Sequence, residues 1–195
     1  MPGPASGNTI VVGAENNLAA YVFVRPANGW ISTTQTAELT TSGRPGGRIG
    51  GSVSISGNTV VAGAPTAGDP YNNVGAVYLF EEPAGGWANM SQTAVLTASD
   101  GQYDTLLGGA VAISGNTVLA GASGGSSFTG TVYVYVRPKT GWANMTQTSE
   151  FSLAGSPYNA QLGYSLALTG NTFVAGAPFA GDINQGAAYV FGKTQ

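Results

Sequence analysis

The sequence predicts an all-β repeat protein, and three observations carry that reading. One phrase occurs four times: SGNTIVVGAE from Ser6, ISGNTVVAGAP from Ile55, ISGNTVLAGAS from Ile113 and LTGNTFVAGAP from Leu168. The tryptophans Trp30, Trp87 and Trp142 keep the same period of roughly 55 residues, so two unrelated landmarks agree on one unit. No segment shows the apolar spacing of a helix; apolar residues alternate or run in short blocks between glycine-rich turns.

The third unit shows the elements in order. Gly109–Ser114 and Thr117–Ala122 flank Gly115-Asn116, a pair that suits a two-residue hairpin, with glycine supplying positive φ at the first central position. Thr131–Val136 is rich in aromatic and β-branched residues and is closed by Arg137-Pro138. Thr148–Leu153 alternates and reads as a strand with one buried face. The first unit begins at its second strand and the last stops before its fourth, so the units hold three, four, four and three strands, fourteen in all. Short sheets repeated at this length are the signature of propeller blades about an axis. The expected organisation is a single domain over 1–195 with blades at 6–42, 49–99, 107–154 and 162–192.

Composition narrows the function classes. Glycine supplies 31 of 195 residues and charged residues only 8%, against ~7% and ~25% in average domains, which reads as a turn-rich all-β chain. A net charge of −3 and six scattered cations offer no basic stripe to displace counterions, so no nucleic-acid partner is expected. No apolar run reaches the ~20 residues of a membrane helix, and MPGPASGN at the start lacks the basic-then-apolar pattern of an export signal. Without cysteine there is no disulfide or thiolate nucleophile, and without histidine no Ser-His-Asp arrangement. No organic cofactor motif is present.

The motifs resemble those of FG-GAP repeat proteins, the family of the integrin α-subunit propellers. The leading pair stands as Ile49-Gly50, Leu107-Gly108 and Leu162-Gly163; the GAP triplet stands at Gly63-Ala64-Pro65 and Gly176-Ala177-Pro178, with variants at Gly13-Ala14-Glu15 and Gly121-Ala122-Ser123. The resemblance implies a β-propeller, roles in adhesion and recognition, and a location that is commonly extracellular or at the cell surface. In the family the loop between the two motifs often carries an aspartate-rich calcium site. Here it has shrunk to SGNT or TGNT without a carboxylate, and calcium wants six to eight oxygen ligands, so those sites are not carried over. A seven-bladed ring gives each blade ~51°, so four blades cover little more than half a circle. Two exposed terminal faces then favour a homodimeric ring of about eight blades over a self-closed four-bladed monomer, with a fragment of a longer parent as a third reading.

Chemistry is expected on the face that gathers the loops between strands two and three and the crossings between blades, where the sequence varies most. Its candidate ligand-binding residues are Tyr71, Asn72, Asn73, Tyr103, Phe128, Tyr158 and Asn184. An aromatic platform beside amides suits a carbohydrate, a protein loop or another small-molecule ligand. Asp69 and Asp182 occupy matching places in blades two and four, and with Asp104 near the axis they form the candidate set for a hard cation such as Ca2+. Glu15, Asp100 and Phe179 share the face, and Arg44 and Arg48 could pair with an anion. Trp30, Trp87 and Trp142, and the sequon-like Asn89-Met90-Ser91 and Asn144-Met145-Thr146, recur with the repeat and read as scaffold. The leading function is a binding module for a carbohydrate or protein. The alternative is a calcium-dependent hydrolase of phosphotriesters, lactones or aryl esters, since a hard cation can activate water without histidine.

Overall fold

A computed structural model describes residues 5–42, 47–68, 72–125, 128–153, 159–181 and 183–192. In chain order its strands are β1 (Ala5–Ser6), β2 (Thr9–Ala14), β3 (Ala19–Val24), β4 (Ala37–Thr40), β5 (Ser52–Ser56), β6 (Thr59–Ala64), β7 (Ala76–Glu81), β8 (Met90–Ser91), β9 (Ala94–Thr97), β10 (Leu107–Ser114), β11 (Thr117–Ala122), β12 (Thr131–Val136), β13 (Met145–Thr146), β14 (Ser149–Phe151), β15 (Ser165–Thr169), β16 (Thr172–Ala177) and β17 (Ala187–Gly192). One three-residue 3-10 turn, Glu15–Asn17, is the helical content of the described residues. The repeated phrase folds as its glycine allows. Ser56 pairs with Thr59 and Ser114 with Thr117, leaving Gly-Asn as the two-residue loop. Gly57 and Gly115 have φ of 58° and 54° while the asparagines do not enter the left-handed region, which is the II′ pattern.

Four sheets result, in the orders β1-β2-β3-β4-β8, β13-β9-β7-β6-β5, β10-β11-β12-β14 and β15-β16-β17. They fit propeller-like blades, and no sheet is closed on itself. The strand count differs from the expected fourteen for two reasons. Ala5–Ser6 pairs with Ile10 and Thr9, so the first sheet has a short first strand of its own. β8 and β13 are two-residue strands lent by one sheet to the preceding one, where they run parallel to β4 and β9.

Between the sheets lie the cores. A strand alternates its side chains between two faces, and in the inner sheets both faces are covered. β6 is therefore buried at every position, whereas β16 alternates buried and exposed residues. One cluster joins Val11, Val22 and Leu39 of the first sheet to Ile55, Val60, Tyr78 and Trp87 of the second. A second joins Val61, Leu79 and Leu96 to Ile113, Val118, Tyr133 and Trp142, and a third joins Leu119 and Val134 to Leu168 and Phe173. The same register positions recur at each joint, which is why the chain repeats its sentence.

Three backbone devices fix the joints. A Cβ on Gly13, Gly63 or Gly121 would overlap the carbonyl of Gly50, Gly108 or Gly163 of the next sheet, so main chains meet where side chains would hold them apart. The turn serines hook onto the following turn: Gly57 N–H donates to Ser6 Oγ and Gly115 N–H to Ser56 Oγ, both at 3.0 Å. Finally, the connection before the fourth strand reaches back as an arm. Asn89 Oδ1 accepts the Glu38 N–H at 2.8 Å and Asn144 Oδ1 the Val95 N–H at 2.9 Å. Gln92 Oε1 accepts from Ser42 N–H at 2.9 Å, and Gln147 Oε1 from Ser99 N–H at 3.0 Å. The two sequon asparagines are thus engaged as structural acceptors.

Replacing Gly63 with Ala forces two backbones apart and lowers stability by roughly 1–3 kcal/mol in urea unfolding, while Gly85→Ala, with open space at that site, changes it little. Asn144→Ala removes one arm bond and costs about 0.5–1.5 kcal/mol in the same measurement.

Candidate loop-face site

Strand polarity brings the loops between second and third strands and the crossings between sheets to one end of the fold. They interlock through main-chain bonds. Asp104 N–H donates to Asn72 O at 2.8 Å and Leu106 N–H to Asn73 O at 3.1 Å; one repeat on, Gln161 N–H donates to Phe128 O at 2.8 Å. Gly75 and Gly130 form parallel bridges with Leu107 and Leu162, continuing the same seams. Gly125 N–H donates to Asp104 O at 2.7 Å, so the crossing at Asp104 is held from both sides.

These seams bend the chain sharply. All eight non-glycine residues of positive φ among the described residues lie in these segments: Leu18, Asn73, Asp104, Leu106, Phe128, Asn159, Gln161 and Asn184. Asparagine and aspartate tolerate that region, whereas leucine, glutamine and phenylalanine are strained in it, and such strain persists only where surrounding bonds over-determine it.

The structure brings some predicted residues together. Asn73 Nδ2 donates to Asp104 Oδ1 at 3.2 Å, and Asn72 sits exposed beside them. Tyr103 is 65% exposed at the tip of the adjoining turn. Phe128 is half-buried under its loop, and Asn184 is exposed in the fourth sheet's loop, its N–H bonded to Gly181 O at 3.3 Å. Asp69, Tyr71, Tyr158 and Asp182 lie outside the described residues, as does Arg44. Arg48 is paired within the chain, 2.9 Å from Glu15, rather than free for an external anion. Among the described residues no three His, Cys, Asp or Glu side chains gather to hold a metal ion. The SGNT turns, folded as tight hairpins without a carboxylate, do not fit the calcium loop of the resembling family.

Asp100, expected among the polar residues of this face, bonds to the sheet beneath it. Its Oδ1 accepts the Tyr133 hydroxyl at 2.9 Å, tying the crossing to β12. Burial, then the bond to Asp100, pushes the Tyr133 phenol well above its ordinary 10.0, and burial does the same to Tyr135. A polar cavity of about 260 Å3 opens here, lined among others by Asp100, Gln102, Thr105, Gly124, Thr129 and Tyr133. Leu18, Tyr164, Phe179 and Ile183 are exposed on the same end, and three of these four were missed. Register held the signal for one of them: Tyr164 occupies the place of Gly51 and Gly109. The tryptophans divide: Trp87 and Trp142 are 6% and 7% exposed within joints, while Trp30 is 45% exposed on the open face of the first sheet.

The FG-GAP repeat family matches residues 33–80, 90–135 and 155–191. No curated protein matches the sequence significantly. Among solved structures, the chain is similar to the computationally designed protein Ika8, with 20% identity and a TM-score of 0.52 over 89% of this chain and 41% of Ika8. It is similar also to the computationally designed Ika4, with 17% identity and a TM-score of 0.51 over 96% of this chain and 87% of Ika4. At these identities the likeness is one of fold, and the chain spans under half the length of Ika8.

The two buried phenols set an alkaline limit. Their folded values are raised, so the stability they contribute is complete well below pH 10.0, where the unfolded phenol is half ionised, and is lost as pH rises further toward the folded values. Urea midpoints measured on either side of that pH fall for the native chain, and fall less for Tyr133→Phe combined with Tyr135→Phe.

Proposed function

The chain belongs to the FG-GAP repeat family, and from that premise we propose that it is a binding module whose loop face recognises a carbohydrate. The polar cavity beside Asp100 and Tyr133, with exposed Tyr103 on the adjoining turn, carries this reading. Hydroxyl, amide and carboxylate groups there can exchange hydrogen bonds with sugar hydroxyls, and an aromatic face can stack on a sugar ring. The interlocked seams support it as well: loop segments tied together by main-chain bonds lose less conformational entropy on binding. Asn72, Asn73, Phe128 and Asn184, and Tyr71 and Tyr158 with them, supply the remaining contacts in this proposal.

A homodimer belongs to the same proposal. The open face of the first sheet presents Val12, Tyr21, Phe23 and Trp30, the register equivalents of Ala62, Tyr78, Phe80 and Trp87, which are buried in a joint. The open face of the fourth sheet presents Val174 and Val190, equivalents of the buried Val61 and Leu79. One chain thus exposes both halves of its own joint, and a two-fold pair would cover each with the other.

A glycan array followed by saturation-transfer NMR tests the first part. The expected result is a defined set of oligosaccharides whose binding falls at least tenfold in Tyr103→Ala and Asp100→Ala. Capture of a protein ligand lost with the same substitutions replaces the carbohydrate with a protein. Hydrolysis of aryl esters, lactones or phosphotriesters that EDTA and Asp104→Asn both abolish would instead assign Asp69, Asp104 and Asp182 to calcium-dependent catalysis. Light scattering after size exclusion tests the second part: twice the chain mass is expected, falling to one chain mass in Val190→Asp.

A further inference from the structure

The charge of this chain is unevenly distributed. The segments that join second to third strands and one sheet to the next carry Glu15 and all four aspartates, Asp69, Asp100, Asp104 and Asp182, against Arg44 and Arg48. The remaining four acids and four cations balance, so the whole formal charge of −3 belongs to the segments of the loop end. Ion pairing sharpens the asymmetry. Arg48 is engaged with Glu15 at 2.9 Å, and at the opposite end Arg137 is engaged with Glu81 at 2.7 Å. Among the described residues Asp100 and Asp104 have no cation within ion-pair distance. Nor do the described acids gather in threes, so their field selects a sign of charge without forming a cage for a metal ion.

Asp100 is the acid that lines the polar cavity of about 260 Å3. Its Oδ1 accepts the Tyr133 hydroxyl at 2.9 Å, which holds the carboxylate at the cavity wall, and the other lining side chains, Gln102, Thr105, Thr129 and Thr131 among them, are neutral. An ionised carboxylate accepts hydrogen bonds and cannot donate them. A ligand in this cavity gains by offering Asp100 a donor, most of all a charged one. A ligand carboxylate or sulfate meets like charge there, with no lining cation to offset it. Tyr103, 65% exposed on the adjoining turn, adds an aromatic face of the kind that attracts an ammonium.

We propose that the loop face selects amino sugars, oligosaccharides bearing free ammonium groups, and that Asp100 is the residue setting this preference. The inference rests on the carbohydrate reading above and adds to it the charge of the ligand. The sugar ammonium lies against Asp100, the neutral hydroxyl and amide groups of the wall take the sugar hydroxyls, and acidic sugars are excluded.

The test titrates the full chain by calorimetry, at mildly acidic pH where sugar amines are protonated, with trimers of glucosamine, N-acetylglucosamine and galacturonate. The glucosamine trimer is expected to bind at least about fivefold more tightly than the N-acetylated one, and the galacturonate not at all. Added salt shrinks the difference. Asp100→Asn removes the charge, keeps an acceptor for the Tyr133 hydroxyl, and brings the ratio of the first two affinities to about one. Glu82→Gln removes the same charge at the opposite end, where the Glu82 N–H bonds to Asn58 O in a hairpin turn, and leaves the ratio unchanged. Equal binding of the trimers, or a ratio that Asp100→Asn leaves intact, overturns this inference while the carbohydrate reading stands. Absence of binding by every sugar overturns both, as does binding of a lysine-rich peptide alone, which makes the partner a basic protein segment.

Discussion

Close contact between main chains of neighbouring sheets is the constraint on which the rest of this protein depends. The GAP glycine of one sheet lies against the carbonyl of the motif glycine opening the next, and neither position has room for a Cβ. The same carbonyl-bearing glycines turn inward to their own sheets: Gly50 N–H donates to Gly63 O at 3.1 Å and Gly163 N–H to Gly176 O at 3.0 Å. Each opening glycine is thereby a two-way junction, bonded within its sheet and packed against the previous one. Small residues nearby, such as Ala62, Ala64, Ala120 and Ala122, let the sheets approach closely near this line, while Tyr78, Tyr135, Trp87 and Trp142 fill the wider space further out. That gradient of side-chain size turns parallel sheets into splayed ones.

Much of this was legible in the chain because it is written locally. The hairpin needs only Gly-Asn between alternating apolar residues, and the period needs only comparison of one unit with the next. What escaped depends on partners remote in sequence. β8 and β13 are two residues long and parallel, and they exist only because another sheet's last strand is beside them. The repeated NM(S/T)QT phrase signalled scaffold without saying to what it attaches. Asp100 meets Tyr133 across 33 positions, which no local pattern marks. The candidate face was readable as a set of variable loops, yet the exposure of Leu18 and Ile183 follows from packing in three dimensions, and loops carry no period from which to infer it.

The loop face and the joints divide the work of the fold. At the joints the repeat is strict, because a change in one unit must be matched by the unit it touches. On the loop face, contacts between segments run mostly through the main chain, so side chains are free to differ while the seams persist. Asn73, Phe128 and Asn184 hold comparable left-handed positions in the loops of the second, third and fourth sheets, with phenylalanine in the third where the other two have asparagine. Function on such a face can change without renegotiating the architecture beneath it.

The arms have a consequence for the order in which native structure gives way. The first and second sheets are each latched by an arm from their successor, and the arm's tryptophan adds to the packing between them. Among the described residues the fourth sheet has three strands and neither gives nor receives an arm. Local opening therefore comes last at the second sheet, which gives an arm to the first and receives one from the third, and its amide protons are the slowest to exchange.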